Sequence, residues 1–417
     1  MFLNKYKYLK KAVTIVITII LIVQQSVFTM NVMSSEFSQP HSISPKACFE
    51  SRFCDRVNSG ARYDDLSLNA ISAVLIDGQN NRILYAKNPF EKRAMASTTK
   101  IMTCVIALEY CDLNDVVYVS KYASSMPNVK MGLKSNEKYK LKDLLYGLML
   151  ESYNDVAVAI AEHISGDIEK FAVLMNKKAK NIGMKDTNFV TPNGLDANNH
   201  HSTSYDMALL GAYAIRNNVF RKIVNCPDYV ITELKTKRTT HAYNKDLFLK
   251  KMNNAIGIKT GFTGKAGYCF VGATDENDRV FVSAVLGAGW PPNKNYKWID
   301  TLSLMKYGMS NYKKNKILDH KYKNKIKVIN GVYEWVDIEC NTDYECLIAG
   351  FDDIKTKIKY KDTVKAPVYA GDIVGKYCLY VNDEIVYEKN IVILKDVPKK
   401  NIFFCIKKIC DYYLVNI

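Results

Sequence analysis

The chain has 417 residues, 48% of them hydrophobic, 24% charged and 11% aromatic. Single cores stop growing near ~250 to 300 residues, so this length fits one large and one smaller domain, and the apolar content excludes wholesale disorder, collagen and coiled coil. Its 58 Lys+Arg against 42 Asp+Glu leave a net +16, which favours anionic partners such as nucleic acid, anionic lipid or acidic wall polymer without choosing among them. In chain order, Lys5, Lys7, Lys10 and Lys11 precede an apolar run from Ala12 to Val23. That run has the length of a signal-peptide core and falls short of the ~20 residues a spanning helix needs. Residues 1–33 therefore read as a signal peptide or N-terminal anchor, and the chain as exported to the outer face of the cytoplasmic membrane or the cell wall. Residues 34–65, rich in Ser and without periodicity, read as a linker.

Folded structure is expected from Leu66. Ile71–Asp77 and Arg82–Ala86 are β-type runs around the turn-rich Gly78–Asn81, which predicts an antiparallel hairpin. From Thr98, Ile101, Val105 and Leu108 recur at helical spacing, and Ser97 lies at the start of that helix. Lys142–Met149 and Val156–Ile164 predict two further helices, with the short polar joint Glu151–Asp155 between them. Ala255–Thr260, Tyr268–Thr274 and Val280–Leu286 predict strands. Strands at both ends with helices between give an α+β or mixed α/β layered domain. At the C-terminus, Ile402, Cys405, Ile406, Ile409, Cys410 and Tyr413 fall on one side of a helix, with Lys400, Lys407, Lys408 and Asp411 on the other. Phe404 and Val415 break the pattern. A basic amphipathic helix of this kind suits an interfacial anchor, the alternative being packing on the preceding domain. The eleven cysteines are odd in number and contain no CxxC pair, which supports neither a fully paired disulfide framework nor a zinc ribbon.

Ser97-Thr-Thr-Lys100 is an S-x-x-K, whose spacing on a helix brings a hydroxyl and an amine to one face. A serine needs a neighbouring base to become a nucleophile. The spacing alone is weak, since Ser135/Lys138, Ser303/Lys306 and Ser310/Lys313 share it, and Ser67/Asn69 repeats the S-x-N of Ser152/Asn154. Order and context distinguish the set: Ser97 follows a hairpin, Ser152/Asn154 occupies a joint between helices, and Lys259-Thr-Gly261 ends a strand and has no second copy.

S-T-T-K, S-Y-N and K-T-G in this order are the signatures of penicillin-recognising serine enzymes. The blocks MASTTKIMTCVIALE, LMLESYNDVAVAIAEHI, NFVTPNGLDANNHHSTSYDMA and GIKTGFTGKAGYCFVGA make the chain resemble the serine D-alanyl-D-alanine carboxypeptidases, the low-molecular-mass penicillin-binding proteins. The likeness runs from about Leu66 to Met309, and a later stretch resembles the family's small β domain. It implies a β-lactamase/transpeptidase-like catalytic domain with an antiparallel sheet flanked by helices at 66–312, a small all-β domain at 313–398 and a membrane-associating helix at 399–417. It implies no cofactor and no metal. The substrate implied is a peptidoglycan stem peptide ending in D-Ala-D-Ala, with β-lactams as covalent inhibitors, a membrane surface as partner and no nucleic acid.

The same resemblance gives Ser97 the role of nucleophile and Lys100 that of base, its amine depressed by burial and by the second cation Lys259. Ser152 would relay a proton to the leaving amine, and Asn154 would bond the substrate amide or the catalytic lysine. Thr260 would meet the substrate carboxylate, Gly261 would permit close approach, and the backbone N–H groups of Ser97 and Phe262 would form the oxyanion hole. Tyr153 stands where the family more often has a small residue, and Lys297 is the nearest cation where the family often has an arginine. More modest readings accompany these: Ser97 as a helix cap, Asn154 or Asp155 as caps, and His200, His201 and Asp206 as a structural loop rather than a metal site. Gly261-Phe-Thr-Gly-Lys265 lacks P-loop spacing, so nucleotide binding is not supported. The alternative functions are a β-lactamase, for which no dedicated deacylating glutamate block stands out, and a catalytically inert peptidoglycan-binding protein, against which the intact motifs argue.

Overall fold

The computed structural model describes residues 66–318 and 321–414. The expected export segment at 1–33 and linker at 34–65 lie outside these residues, as do the side chains from 409 onward.

β1 (Ser72–Asp77) and β2 (Ile83–Lys87) form the expected hairpin. Its turn is closed by side chains, with Asp77 Oδ1 accepting from Gln79 N at 2.9 Å and Asn80 Oδ1 from Arg82 N at 3.0 Å. Two small hairpins, β3 (Val116–Tyr118) with β4 (Lys138–Lys140) and β5 (Asp228–Thr232) with β6 (Thr239–Tyr243), belong to the helical region that follows. β7 (Ala255–Thr263), β8 (Gly267–Glu276) and β9 (Arg279–Leu286) return to β1 and complete an antiparallel sheet in the order β2-β1-β9-β8-β7. β1 is buried along its whole length because both faces are covered. Val74 and Ile76 join the core on the side of the main helices, while Ala73 and Leu75 join a second core with Phe281, Leu304 and Met305. The alternation is the period of two of a strand, and it explains why β1 reads as an unbroken apolar run.

The helices between β2 and β7 hold the polar joints. A 3₁₀ turn (Ala96–Thr99) leads into α1 (Lys100–Tyr110), and α2 (Asn154–Ser165) packs beside α1. The segment read as one helix over Lys142–Met149 is instead a short α-helix, Leu141–Tyr146, that widens into a π turn, Gly147–Glu151. The wider turn lets the chain leave at Ser152 with φ 71°, a conformation rare outside glycine and a frequent accompaniment of π turns at functional sites. α3 (Ser204–Ala214) covers one face of the sheet and α4 (Tyr296–Asn311) the other.

α4 runs directly into β10 (Tyr312–Leu318), which pairs with β13 (Tyr344–Ala349). The remaining strands are β11 (Lys321–Ile329), β12 (Trp335–Asn341), β14 (Ile354–Tyr360), β15 (Thr363–Lys365), β16 (Ile373–Val381) and β17 (Glu384–Ile393). They form one sheet, β14-β16-β17-β12-β11-β15, over a core that includes Ile326, Ile338, Leu379 and Ile391. The β1–β2 hairpin docks on this domain through Arg82. Its guanidinium pairs with Asp352 at 3.2 Å, both side chains nearly solvent-free, donates to Leu347 O and lies over the Tyr312 ring. α5 (Ile402–Leu414) follows, its first turn capped by Asn401 Oδ1 accepting from Phe404 N. Ile402, Phe403 and Ile406 are exposed on it, at 59%, 77% and 51%. Among the described residues no helix is long and apolar enough to cross a membrane.

Candidate active site

Three stretches far apart in the chain meet around one amine. Lys100, the first residue of α1, is fully buried. Its Nζ lies 2.9 Å from Ser97 Oγ, 2.8 Å from Asn154 Oδ1 and 2.6 Å from the carbonyl oxygen of Asn193. Two of these neighbours are pure acceptors. A neutral amine offers two N–H donors and one lone pair, so with Asn154 and Asn193 taking the donors the lone pair is left for the Ser97 hydroxyl proton. Burial first, and then the charge of Lys259, push the Lys100 amine well below the usual lysine range, with Asp155 opposing the shift.

Each partner is held by backbone. Asn154 Nδ2 donates to Pro127 O at 3.3 Å and Asn154 N to Val129 O at 2.7 Å, which orients Oδ1 towards Lys100. The loop supplying those carbonyls is itself fixed by Asp155, whose buried carboxylate accepts from Met131, Gly132 and Leu133 N–H groups at 2.9–3.0 Å. Asp155 is therefore an organiser of this loop as well as a member of the first turn of α2. On the other side, Ala96 adopts φ 49° immediately before Ser97, an uncommon conformation for a residue with a side chain, of the kind that packing sustains at functional sites. The Asn193–Gly194 corner packs against it so closely that a Cβ on Gly194, where φ is +81°, would sit 2.0 Å from Ala96 O.

β7 closes the third side as the free edge of the five-stranded sheet. Lys259 and Gly261 are buried and alternate with the half-buried Thr260 and the exposed Phe262. A Cβ at Gly261 would meet Ser97 N and Met95 O at 3.0 Å, so the absence of a side chain lets the strand lie against the Ser97 turn. Burial lowers Lys259 to about 8, with Asp246 opposing the shift and Lys297 adding to it. Asp246 is nearly solvent-free and is raised by burial to about 7; its Oδ1 accepts from Phe248 N, while Oδ2 has no partner among the described residues. Lys297 is also lowered, by burial, and stacks over Tyr268 and Trp298 at 4.8 and 5.0 Å. Ser152 stands apart from the hydrogen-bonded cluster: its Oγ is buried without a partner among the described residues.

His200 has a specific place behind the site. Its Nδ1 accepts from Val190 N at 2.9 Å, so Nε2 carries the proton and donates to Thr99 Oγ1 at 3.0 Å. Both ring nitrogens are used, and burial lowers the ring to about 4. Asp206 accepts from Asp186 N and Thr187 Oγ1, and the backbones of His201 and Asn188 pair. The segment thus braces the Ser97 turn from behind. The Asn193 carbonyl, Gly194 and Asp246 were not singled out by residue type. The first two act through backbone, and the burial of Asp246 comes from tertiary packing that no local pattern encodes.

Residues 59–289 match the model of the family described as D-alanyl-D-alanine carboxypeptidase, and residues 310–399 that of the penicillin-binding protein 5 C-terminal domain. The chain is 30% identical over 362 residues to D-alanyl-D-alanine carboxypeptidase DacF of Bacillus subtilis, spanning 84% of this chain and 91% of that one. It is likewise 30% identical over 364 residues to D-alanyl-D-alanine carboxypeptidase DacA of Haemophilus influenzae, spanning 84% and 90%. The crystal structure of penicillin binding protein 5 from Haemophilus influenzae superposes with a TM-score of 0.69 at 28% identity, covering 81% of this chain and 100% of that one.

Proposed function

The chain belongs to the D-alanyl-D-alanine carboxypeptidase family, and from that premise we propose that Ser97, Lys100 and the residues around them carry out the reaction. The protein is a serine-type D-Ala-D-Ala carboxypeptidase, a penicillin-binding hydrolase acting on peptidoglycan stem peptides. The observation that carries the assignment of roles is the environment of the Lys100 amine, with two carbonyl acceptors and the Ser97 oxygen around it.

Ser97 Oγ attacks the carbonyl carbon of the penultimate D-alanine and passes its proton to Lys100 Nζ. Only the uncharged amine can accept it, and burial beside Lys259 favours that state. The developing oxyanion is taken by the backbone N–H groups of Ser97 and Phe262, which cost no reorganisation because the turn and the strand are already in place. Collapse breaks the C–N bond. The proton held by Lys100 passes through Ser152 to the leaving amine, so that D-alanine departs neutral at nitrogen and Ser97 is left as an ester. Water then adds to that ester, again with Lys100 as base, and releases the shortened peptide. The unpartnered Ser152 hydroxyl supports this role: a buried hydroxyl without a bond is costly unless its partner arrives with substrate.

The free edge of β7 suits an extended peptide added as a further strand, with Thr260 and Lys259 receiving its terminal carboxylate. Lys297 supplies positive charge close by, as a point charge rather than a bidentate fork. The test is D-alanine release from a stem pentapeptide by the purified protein: release that disappears in Ser97→Ala supports the reading, and rapid β-lactam turnover without any D-alanine release refutes it.

The protein acts, in this reading, at the outer face of the cytoplasmic membrane. Two features support it: the basic and then apolar run at the N-terminus, and the exposed Ile402, Phe403 and Ile406 of α5 beside Lys407 and Lys408. Removal of residues 401–417 is expected to shift the signal-cleaved enzyme from the membrane to the soluble fraction; unchanged partitioning contradicts the role of α5.

A further inference from the structure

The far ends of α1 and α2 meet in a second cluster of reactive side chains. Cys111 caps the C-terminus of α1, His163 lies in the last turn of α2, and Asp115 leads into β3. One ligand-type atom from each, the Cys111 thiol sulfur, an Asp115 carboxylate oxygen and a His163 ring nitrogen, lies within 4.8 Å of both others, and all three residues are half-buried. His163 Nε2 and Asp115 Oδ2 are 3.7 Å apart.

We propose that Cys111, Asp115 and His163 form a zinc-binding site. Zinc takes thiolate, imidazole and carboxylate at about 2.0–2.3 Å in tetrahedral array, which sets donor-to-donor separations of about 3.3–3.7 Å. The His163–Asp115 pair already has that spacing, and the sulfur, within 4.8 Å of both, reaches it with a movement of at most about 1.5 Å. The mixture of one soft, one intermediate and one hard ligand selects a borderline ion over magnesium or calcium, which prefer oxygen alone. Half-burial leaves a fourth position for water.

The carboxylate is oriented in advance. Asp115 Oδ2 accepts from Asp112 N at 3.1 Å and Asp115 N donates to Asp112 O at 3.0 Å, so the turn presents the ligand before any ion arrives. Zinc binds cysteine as the thiolate. Binding therefore forms a Zn–S bond with release of the thiol proton to solvent, and affinity rises with pH.

Placement gives the site a structural consequence. α1 begins at Lys100 and α2 at Asn154, and both helices end at this cluster, roughly 16 Å along α1 from the catalytic amine at 1.5 Å per residue. An ion bound there ties the distal ends of the two helices whose proximal ends set the Lys100–Asn154 contact.

The test uses the full chain, stripped of metal and titrated with Co²⁺ and then Zn²⁺. One equivalent of Co²⁺ is expected to give a thiolate-to-cobalt absorption band, displaced by Zn²⁺. Zinc at about a hundredfold excess over Kd is expected to raise Tm by roughly 5 to 10 °C. Cys111→Ser and His163→Gln, each with an unchanged far-UV circular dichroism spectrum, should lose both signals. Cys226→Ser, at another half-buried thiol, should keep both. Absence of the cobalt band in the parent protein, its persistence in Cys111→Ser, or its loss only in Cys226→Ser overturns the proposal.

Discussion

The catalytic domain and the β domain beyond Tyr312 bury different kinds of residue. Between Ser72 and Thr301 the core takes in Lys100, Lys259, Asp155, Asp246 and Asp300, whereas in the β domain the described buried polar groups are Thr342 and the Asp352 carboxylate at the junction. Burying a polar or charged group carries a free-energy cost that only well-placed partners offset. Some buried groups of the catalytic domain have them: Asp300 accepts from Asn69 and Ala70 N–H groups, and Asp155 from three successive amides. Others do not. Ser152 Oγ and Asp246 Oδ2 lack partners among the described residues, and Lys100 and Lys259 are pushed away from their charged forms by burial. Unpartnered buried atoms also occur elsewhere among the described residues, at Asp77 Oδ2, Ser283 Oγ and Thr301 Oγ1, so what marks the crevice around Ser97 is its two buried lysines shifted towards their neutral forms, as expected where chemistry selects the residues.

Equivalent truncations in the two domains should therefore do opposite things. Ser97→Ala is expected to lower D-alanine release by on the order of 10⁴-fold or more while leaving the unfolding midpoint nearly unchanged. Ile338→Ala in the β core should cost about 2–5 kcal/mol in denaturant unfolding and leave kcat/KM nearly intact. A large activity loss in Ile338→Ala would break the contrast.

Arg82 tests the junction where the two regimes meet. Arg82→Ala leaves the buried Asp352 carboxylate without its cation, held only by the donors Ala349 N and Asn382 Nδ2, and a loss of about 3 kcal/mol is expected. If the two domains unfold as one unit, the transition stays single and shifts. Two separated transitions would instead mean that this ion pair couples them.

A smaller effect sharpens the role of the buried ring behind Ser97. His200 has its pKa lowered to about 4, against ~6.5 unfolded, so in that interval the unfolded chain binds more protons and stability falls as pH falls. The contribution at stake is on the order of 3 kcal/mol. His200→Gln keeps a donor for Thr99 and should flatten the dependence of unfolding free energy on pH between 4 and 6.5. An unaltered slope would remove His200 as its source.

The smallest expected effect concerns Lys259. Its positive charge lowers Lys100, so in Lys259→Gln the acid limb of kcat/KM should move to higher pH. The alkaline fall near pH 8, where Lys259 itself loses its proton, should vanish. An acid limb that stays in place would show that burial alone tunes the base.

Much of this was legible in the sequence because it depends on short-range spacing. The β1–β2 hairpin, the strands of β7–β9 and the helix after Ser97 follow from local periodicity and turn chemistry, while the S-x-x-K, S-x-N and K-T-G stretches stand out by their order and by family resemblance. What escaped the sequence is long-range or carried by backbone. The π turn Gly147–Glu151 resembles ordinary helix by composition, and only the left-handed exit at Ser152 distinguishes it. The Asn193 carbonyl and the strained Ala96 have no side-chain signature. The histidine pair was expected to form a loop beside the cleft, but tertiary contacts alone place the His200 ring against Thr99.

The central claim is that the oxygen of Ser97 is the atom an uncharged Lys100 makes reactive. Intact-mass and peptide mapping after exposure to benzylpenicillin tests it most directly. The account predicts a single long-lived adduct on the peptide containing Ser97, absent from Ser97→Ala and slow to form in Lys100→Ala; a folded protein that takes up no adduct, or carries it on another residue, would contradict it.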